Sequence, residues 1–182
     1  MLVGIIADDM TGLTAVASEF ERYGFSVGIA LSSDQVDSIS DSYDIIGVDT
    51  NSREKNAQNA AKAAEEAAEV LSKSKPVWLF KQGDSALHGN IASELSAVSL
   101  KLKAKNVLMA PACPSLNRLT IDGVHRIIAD DPHTHVSVVD LWSNDQKVAV
   151  VDSTKPAPDA LNCPLITAVS YTHLRAHETF AN

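Results

Sequence analysis

Only two cysteines occur in 182 residues, Cys113 and Cys163, fifty positions apart, so a disulfide framework has nothing to be built from. With no Cys-x-x-Cys spacing and no clustered histidine, a zinc site lacks ligands as well. The two read as ordinary thiols of a reducing compartment. No Lys/Arg-rich run occurs, and acidic residues outnumber basic ones by 23 to 15, for a formal net charge of −8. A chain of that sign offers no electrostatic footprint for nucleic acid or an anionic membrane. The opening apolar run, Leu2 to Ala7, is stopped by Asp8 and Asp9, too soon for a signal-peptide core or a membrane span. A cytoplasmic protein is expected. The 8 glycines are dispersed and form no Gly-x-Gly or P-loop spacing, so no phosphate-cradling nucleotide site is legible.

What is present is a core-forming composition, 45% apolar against 21% charged, at the length of one domain. Short β-type runs (Leu2 to Ala7, Ser26 to Leu31, Asp44 to Asp49, Val77 to Lys81, Asn106 to Ala110) alternate with helical patterns. That alternation predicts an α/β fold: an open, mostly parallel sheet with helices on both faces, in three αβα layers. The first helix buries Leu13, Val16, Ala17 and Phe20 and stops at Gly24. The second, about Asn56 to Ser72, is expected to bury Ala57, Ala60, Ala61, Ala64, Ala68 and Leu71. The third starts at Asn90, read as its N-cap, and turns Ile91, Leu95, Val98 and Leu102 inward. Beyond Ala110 the pattern weakens. Val136 to Leu141 and Lys147 to Val151 read as strands, and Pro156, Pro158 and Pro164 break up the remainder of the chain. The domain is expected to span 1–170. Residues 171–182 continue no earlier pattern and resemble the translated read-through of a sequencing adapter; His173 and His177, four apart, lack the third ligand that a metal site needs.

In an open parallel sheet a ligand sits beyond the carboxyl ends of the strands. Here the strands run into Asp8-Asp9-Met10-Thr11-Gly12, into Asp49-Thr50-Asn51-Ser52-Arg53, into Lys81 through Asn90, and into Pro111 through Arg118. One edge thus gathers carboxylates, cations and hydroxyls, a set suited to a small, polyhydroxylated, anionic ligand. Carboxylates would bind its hydroxyls; Lys81 with Arg53 or Arg118, and the Gly89-Asn90 helix start, would bind a carboxylate. Plainer roles compete for each group. Asp9 or Thr11 can cap the first helix, Arg53 can be solvated or paired with Glu54, His88 can be a polar loop residue, and His125 a half-buried strand residue. Cys113, between Ala112 and Pro114, reads as a packing residue rather than a nucleophile.

These loops, in this order, resemble the N-terminal domain of the four-carbon acid sugar kinase family. The likeness rests on Ala7-Asp8-Asp9-Met10-Thr11-Gly12, on Asp49, Thr50, Ser52 and Arg53, on Lys81, Asp84, Ser85, Leu87, Gly89 and Asn90, and on Pro111, Ala112 and Pro114. Arg118 and Asp122-Gly123 follow as in the family, and the likeness covers roughly residues 1 to 126. It departs at Ala86-Leu87-His88-Gly89, where the family usually has Thr-Leu-Arg-Gly, and at Gln82-Gly83, where the pair is usually basic or apolar.

The resemblance implies ATP-dependent phosphorylation of acids such as erythronate, threonate or their 3-oxo relatives. It implies Mg2+ with ATP on a C-terminal nucleotide-binding domain absent from these residues, so that the chain alone should not turn over. The implied sugar-acid site comprises Asp8, Asp9, Arg53, Lys81, Gln82, Gly83, Asp84, Ser85, His88, Gly89, Asn90 and Arg118. Asp84, Asp9 and Asp8 are the candidates for the base that takes the acceptor hydroxyl's proton. A non-catalytic small-acid binding module is the alternative. A receiver-like signalling domain loses because its lysine should follow the fifth strand, whereas Lys81 lies one strand early.

Overall fold

The computed structural model describes residues 1–127, 135–138, 147–155 and 165–168. Chain order is β1 (Val3–Ala7), α1 (Met10–Arg22), β2 (Val27–Ala30), α2 (Val36–Ile39), β3 (Ile45–Asp49), α3 (Ala57–Ser72), β4 (Trp78–Gln82), α4 (Ile91–Leu102) and β5 (Asn106–Ala110). There follow β6 (Arg118–Ile121), β7 (Val124–Ile127), β8 (His135–Ser137), β9 (Lys147–Val150) and β10 (Leu165–Ala168). Seven strands form one sheet in the order β2-β3-β1-β4-β10-β5-β9, with every pairing parallel.

Alternation along the strands divides the core in two. Ile6, Ile46 and Val48 pack with α2, α3 and α4 on one face, while Ile5, Ala7, Ile45 and Phe80 pack with α1 on the other. The expected three layers are therefore present. α3 buries Ala60, Ala64, Ala67, Ala68 and Leu71. Against expectation Ala57 is exposed, as the first residue of the helix, and Ala61 is half-buried, at the edge of the stripe that runs through Ala60, Ala64 and Ala67. Small side chains on this stripe let α3 lie close to α4 and to the sheet.

Two features were not legible. Arg118–Ile121 and Val124–Ile127 form an antiparallel hairpin joined at Asp122 (φ 48°) and Gly123 (φ 77°), and β8 pairs with β7 to complete a separate three-stranded sheet. Two consecutive left-handed residues make the turn type that Asp-Gly favours. Of the predicted strand Val136 to Leu141, Val136 and Ser137 belong to this small sheet, and residues 139–141 lie outside the described ones. Second, Leu165–Ala168 does not fall apart after the prolines; it lies between β4 and β5, with Leu165 and Ile166 buried. The tail 171–182 lies outside the described residues, and among those described no helix is long and apolar enough to cross a membrane.

Candidate functional site

β1 pairs with both β3 and β4, with Ala7 opposite Asp49 on one side and Gln82 on the other. The loops after these three strands therefore begin at one level. β1 connects toward β2 on one side, while β4 connects through α4 toward β5 on the other, so the sheet changes direction between β1 and β4. A crevice is expected at such a point.

Arg53 is the centre of a charged cluster at the ends of these strands. Its Nε donates to Asp8 Oδ2 and its Nη2 to Asp8 Oδ1, both at 2.9 Å, and its Nη1 donates to Asp9 Oδ2. Hydrogen bonding to Asp8, with the nearby charges of Asp8, Asp9 and Asp84, raises the guanidinium pKa against the opposing effect of burial. Asp8 is wholly buried. Asp9 has a second duty: its Oδ1 accepts from Gly12 N at 2.7 Å and caps α1, so the plainer reading of Asp9 also holds. Gly89 (φ 84°) closes the cluster, and a Cβ there would meet Arg53 Cγ at 3.4 Å and Asp8 Oδ2 at 3.5 Å.

Asp84 organises its own loop. Its Oδ2 accepts from Ala86 N (2.9 Å), His88 N (3.2 Å) and His88 Nδ1 (2.9 Å), while its carbonyl accepts from Leu87 N. Its Oδ1 accepts no hydrogen bond from a described residue. A narrow cleft beside it is lined by Gly83, Asp84, Leu87, Ile91, Met109 and Thr167. His88 is otherwise exposed, and Ser85, buried, offers its carbonyl to His125 Nε2–H at 2.8 Å. His125 is fully buried rather than half-buried: its ring joins the small sheet to the Asp84 loop, with Nδ1 accepting from Thr120 Oγ1 at 3.0 Å. Burial lowers its pKa, the Ser85 hydrogen bond opposes that, Arg118 adds to it and Asp84 opposes it.

Three expectations change. Lys81 is 1% exposed, and its Nζ sits 2.9 Å from Glu94 Oε2 and 2.7 Å from the Gln82 carbonyl. Lys81 and Arg53 thus already have carboxylate partners within the chain and do not stand open to a ligand's carboxylate. Asn90 is the N-cap residue of α4 as expected, but its side chain makes no capping hydrogen bond; its Nδ2 reaches the carbonyls of Ser52, Arg53 and Lys55 instead. The first-turn N–H groups of α4 therefore have no side-chain acceptor at the cap. Asp49, whose Oδ1 accepts from Asn51 N at 2.8 Å, lines with Leu31, Asp34, Lys55 and Glu66 a separate, broader depression between the ends of β2 and β3 and helix α3.

Of the three candidate cations, Arg118 has no ion pair with a described residue, and its buried Nε has no hydrogen-bond partner. Gln82 is buried, with its amide lying against Gly12, where a Cβ would come within 2.5 Å. Glu94 was not singled out in the sequence. The signal was there, since a glutamate beside Leu95 and three residues after Ile91 falls on the apolar stripe of α4.

Residues 3–156 match the family described as the sugar-binding N-terminal domain. The chain is 32% identical over 146 residues to a D-erythronate kinase of Heliobacterium modesticaldum, covering 74% of this chain and 33% of that protein. It is 31% identical over 120 residues to a D-threonate kinase of Salmonella typhimurium, covering 65% and 28%. The chain thus spans about a third of the length of the curated relatives it matches. A crystal structure of a domain of unknown function from Bordetella bronchiseptica, with bound citrate, superposes with a TM-score of 0.77 at 22% identity, over 98% of this chain and 56% of that one.

Proposed function

The chain belongs to the sugar-binding N-terminal domain family of four-carbon acid sugar kinases, and on that premise we propose that its Arg53-centred crevice binds a four-carbon sugar acid for phosphorylation by ATP. The observation that carries this reading is the single guanidinium joining Asp8 and Asp9, with Asp84 in its field, at the carboxyl ends of neighbouring parallel strands. Three carboxylates against one guanidinium leave the cluster formally acidic, which suits hydroxyl groups. The acid's own carboxylate then needs another cation, and Arg118, with the uncapped first turn of α4, is proposed to supply it.

Asp84 is the best-placed base. Asp8 is occupied on both oxygens by Arg53, and Asp9 is divided between Arg53 and its helix cap, whereas Asp84 keeps Oδ1 for a substrate hydroxyl while three donors hold its Oδ2. ATP with Mg2+ supplies the phosphoryl group from a second, nucleotide-binding domain. The contribution proposed for this chain is sugar-acid binding and proton transfer through Asp84. The protein is further proposed to be cytoplasmic, with residues 1–170 as the native domain.

Calorimetry with erythronate, threonate and the uncharged tetritols tests the reading. The acids should bind in preference, and Arg118→Met should weaken them by about tenfold to a hundredfold, the loss of one charge-assisted hydrogen bond. Equal or absent heats with acids and tetritols would remove the sugar-acid assignment. An acid that binds but is not phosphorylated by the full-length protein would favour a non-catalytic binding module.

A further inference from the structure

Beneath the crevice lies a buried polar network that no ligand-facing role explains. Glu94 is 0% and Lys81 1% exposed, and they form an ion pair at 2.9 Å. Glu94 Oε1 accepts from Ser52 Oγ, itself wholly buried, and Ser52 Oγ also meets Thr50 Oγ1 at 2.7 Å, which donates to the Ala7 carbonyl at 2.8 Å. A buried ion pair is poor evidence of stability, because desolvation cancels much of its attraction; it is retained where it fixes an arrangement. Here the fixed segment is Ser52-Arg53. The N–H groups of both residues donate to the Asp8 carbonyl, at 2.9 and 3.3 Å, and Asn90 Nδ2 holds their carbonyls from the α4 side.

We propose that Glu94 is a positioning residue of the crevice: held by Lys81, its buried carboxylate fixes Ser52 and thereby aims the Arg53 guanidinium at Asp8 and Asp9. The inference rests on the sugar-acid reading only for its purpose. Glu94 makes no hydrogen bond or ion pair with Arg53, does not line the cleft beside Asp84, and acts through the β3–α3 loop. Lys81 supplies the charge that makes a carboxylate tolerable at this depth. In the same first turn, Asn90 supports the loop's carbonyls while Glu94 supports its hydroxyl, so α4 holds the loop at two points.

The test reads Arg53 directly, through hydrogen exchange of its Nε–H, which is bonded to Asp8 at 2.9 Å. Lys81→Met with Glu94→Leu removes both buried charges together and the acceptor of Ser52; Lys81→Met with Glu94→Gln removes the charges but keeps an acceptor oxygen. The Leu pair should exchange the Arg53 Nε–H at least about tenfold faster than the unaltered chain, and the Gln pair should restore protection. Both should melt cooperatively. Ser52→Ala, which leaves the ion pair in place, should also exchange about tenfold faster, and it decides the matter if either double variant fails to fold. Unchanged exchange in a folded Leu pair or in Ser52→Ala overturns the proposal, as does equal acceleration in the Leu and Gln pairs. In the unaltered chain, absence of sugar-acid binding counts against the function proposed for the crevice and leaves the exchange result to judge Glu94.

Discussion

At the scale of single residues, the crevice assigns unequal work to chemically identical groups. Asp8, Asp9 and Asp84 are all carboxylates after apolar strands, yet only Asp84 presents an oxygen without a donor from the described residues. In the full-length protein, Asp84→Asn should lower kcat by about a hundredfold or more while KM for the acid changes little, since the amide keeps its size but takes no proton. An unaltered kcat would move the base to Asp9. His125 sets a pH limit on stability. Burial lowers its folded pKa below the ordinary value of 6.5, so the unfolded chain binds the extra proton first. The contribution of neutral His125 is therefore fully present above about pH 6.5 and is lost as pH falls through the lower folded value. Denaturant midpoints measured at intervals from pH 7.5 downward should decline on the acid side, and His125→Gln should flatten that decline. Asp44 and Asp152, whose pKa values are lowered by hydrogen bonds from Ser26 and Thr154, titrate further into acid and do not mask it.

At the scale of elements, the contact between α3 and α4 depends on alanine. Ala60, Ala64, Ala67 and Ala68 are each 0% exposed, so extra carbons have no room. Ala64→Leu should cost about 1–3 kcal/mol by overpacking, read as a lower denaturant midpoint at unchanged m value, whereas a neutral result would mean the helices can separate without loss. Elements of this kind were the legible part of the sequence. Strands β1 to β5 and helices α1, α3 and α4 announce themselves through period, and the Asp8, Arg53 and Asp84 loops through their position after apolar runs. Partnership was not legible. Nothing local says that Lys81 meets Glu94 thirteen residues on, or that Arg53 reaches back to Asp8, because the sheet and not the chain brings them together. The Asp122-Gly123 hairpin carried a recognisable turn signal, but its flanking runs of four residues are short.

At the scale of the whole molecule, β10 was missed because four residues, Leu-Ile-Thr-Ala, carry too little pattern to stand against three nearby prolines. Its weight in the structure is out of proportion to its length. It pairs with β4 on one side and β5 on the other, and Thr167 Oγ1 donates to the Lys81 carbonyl at 2.9 Å. Removing residues from 164 onward should leave two partial sheets with unpaired inner edges. Such a shortened chain is expected to lose cooperative urea unfolding and to aggregate, while a chain ending at 170 unfolds cooperatively and does not aggregate; equal stability of the two would show that β4 and β5 can close on each other.

A sheet whose inner strand is supplied from beyond residue 164 also has an order of assembly dictated by translation. While the ribosome is still adding the segment before β10, the β2-β3-β1-β4 half can already zip through sequence-near pairings, but the β5-β9 half has nothing to join it to. The nascent chain must carry two open backbone edges until the late strand emerges and serves as the seam between them. Stalled nascent chains should therefore gain protease resistance in two stages, a partial one once β1 to β4 have emerged and the larger one only when Leu165–Ala168 leaves the exit tunnel.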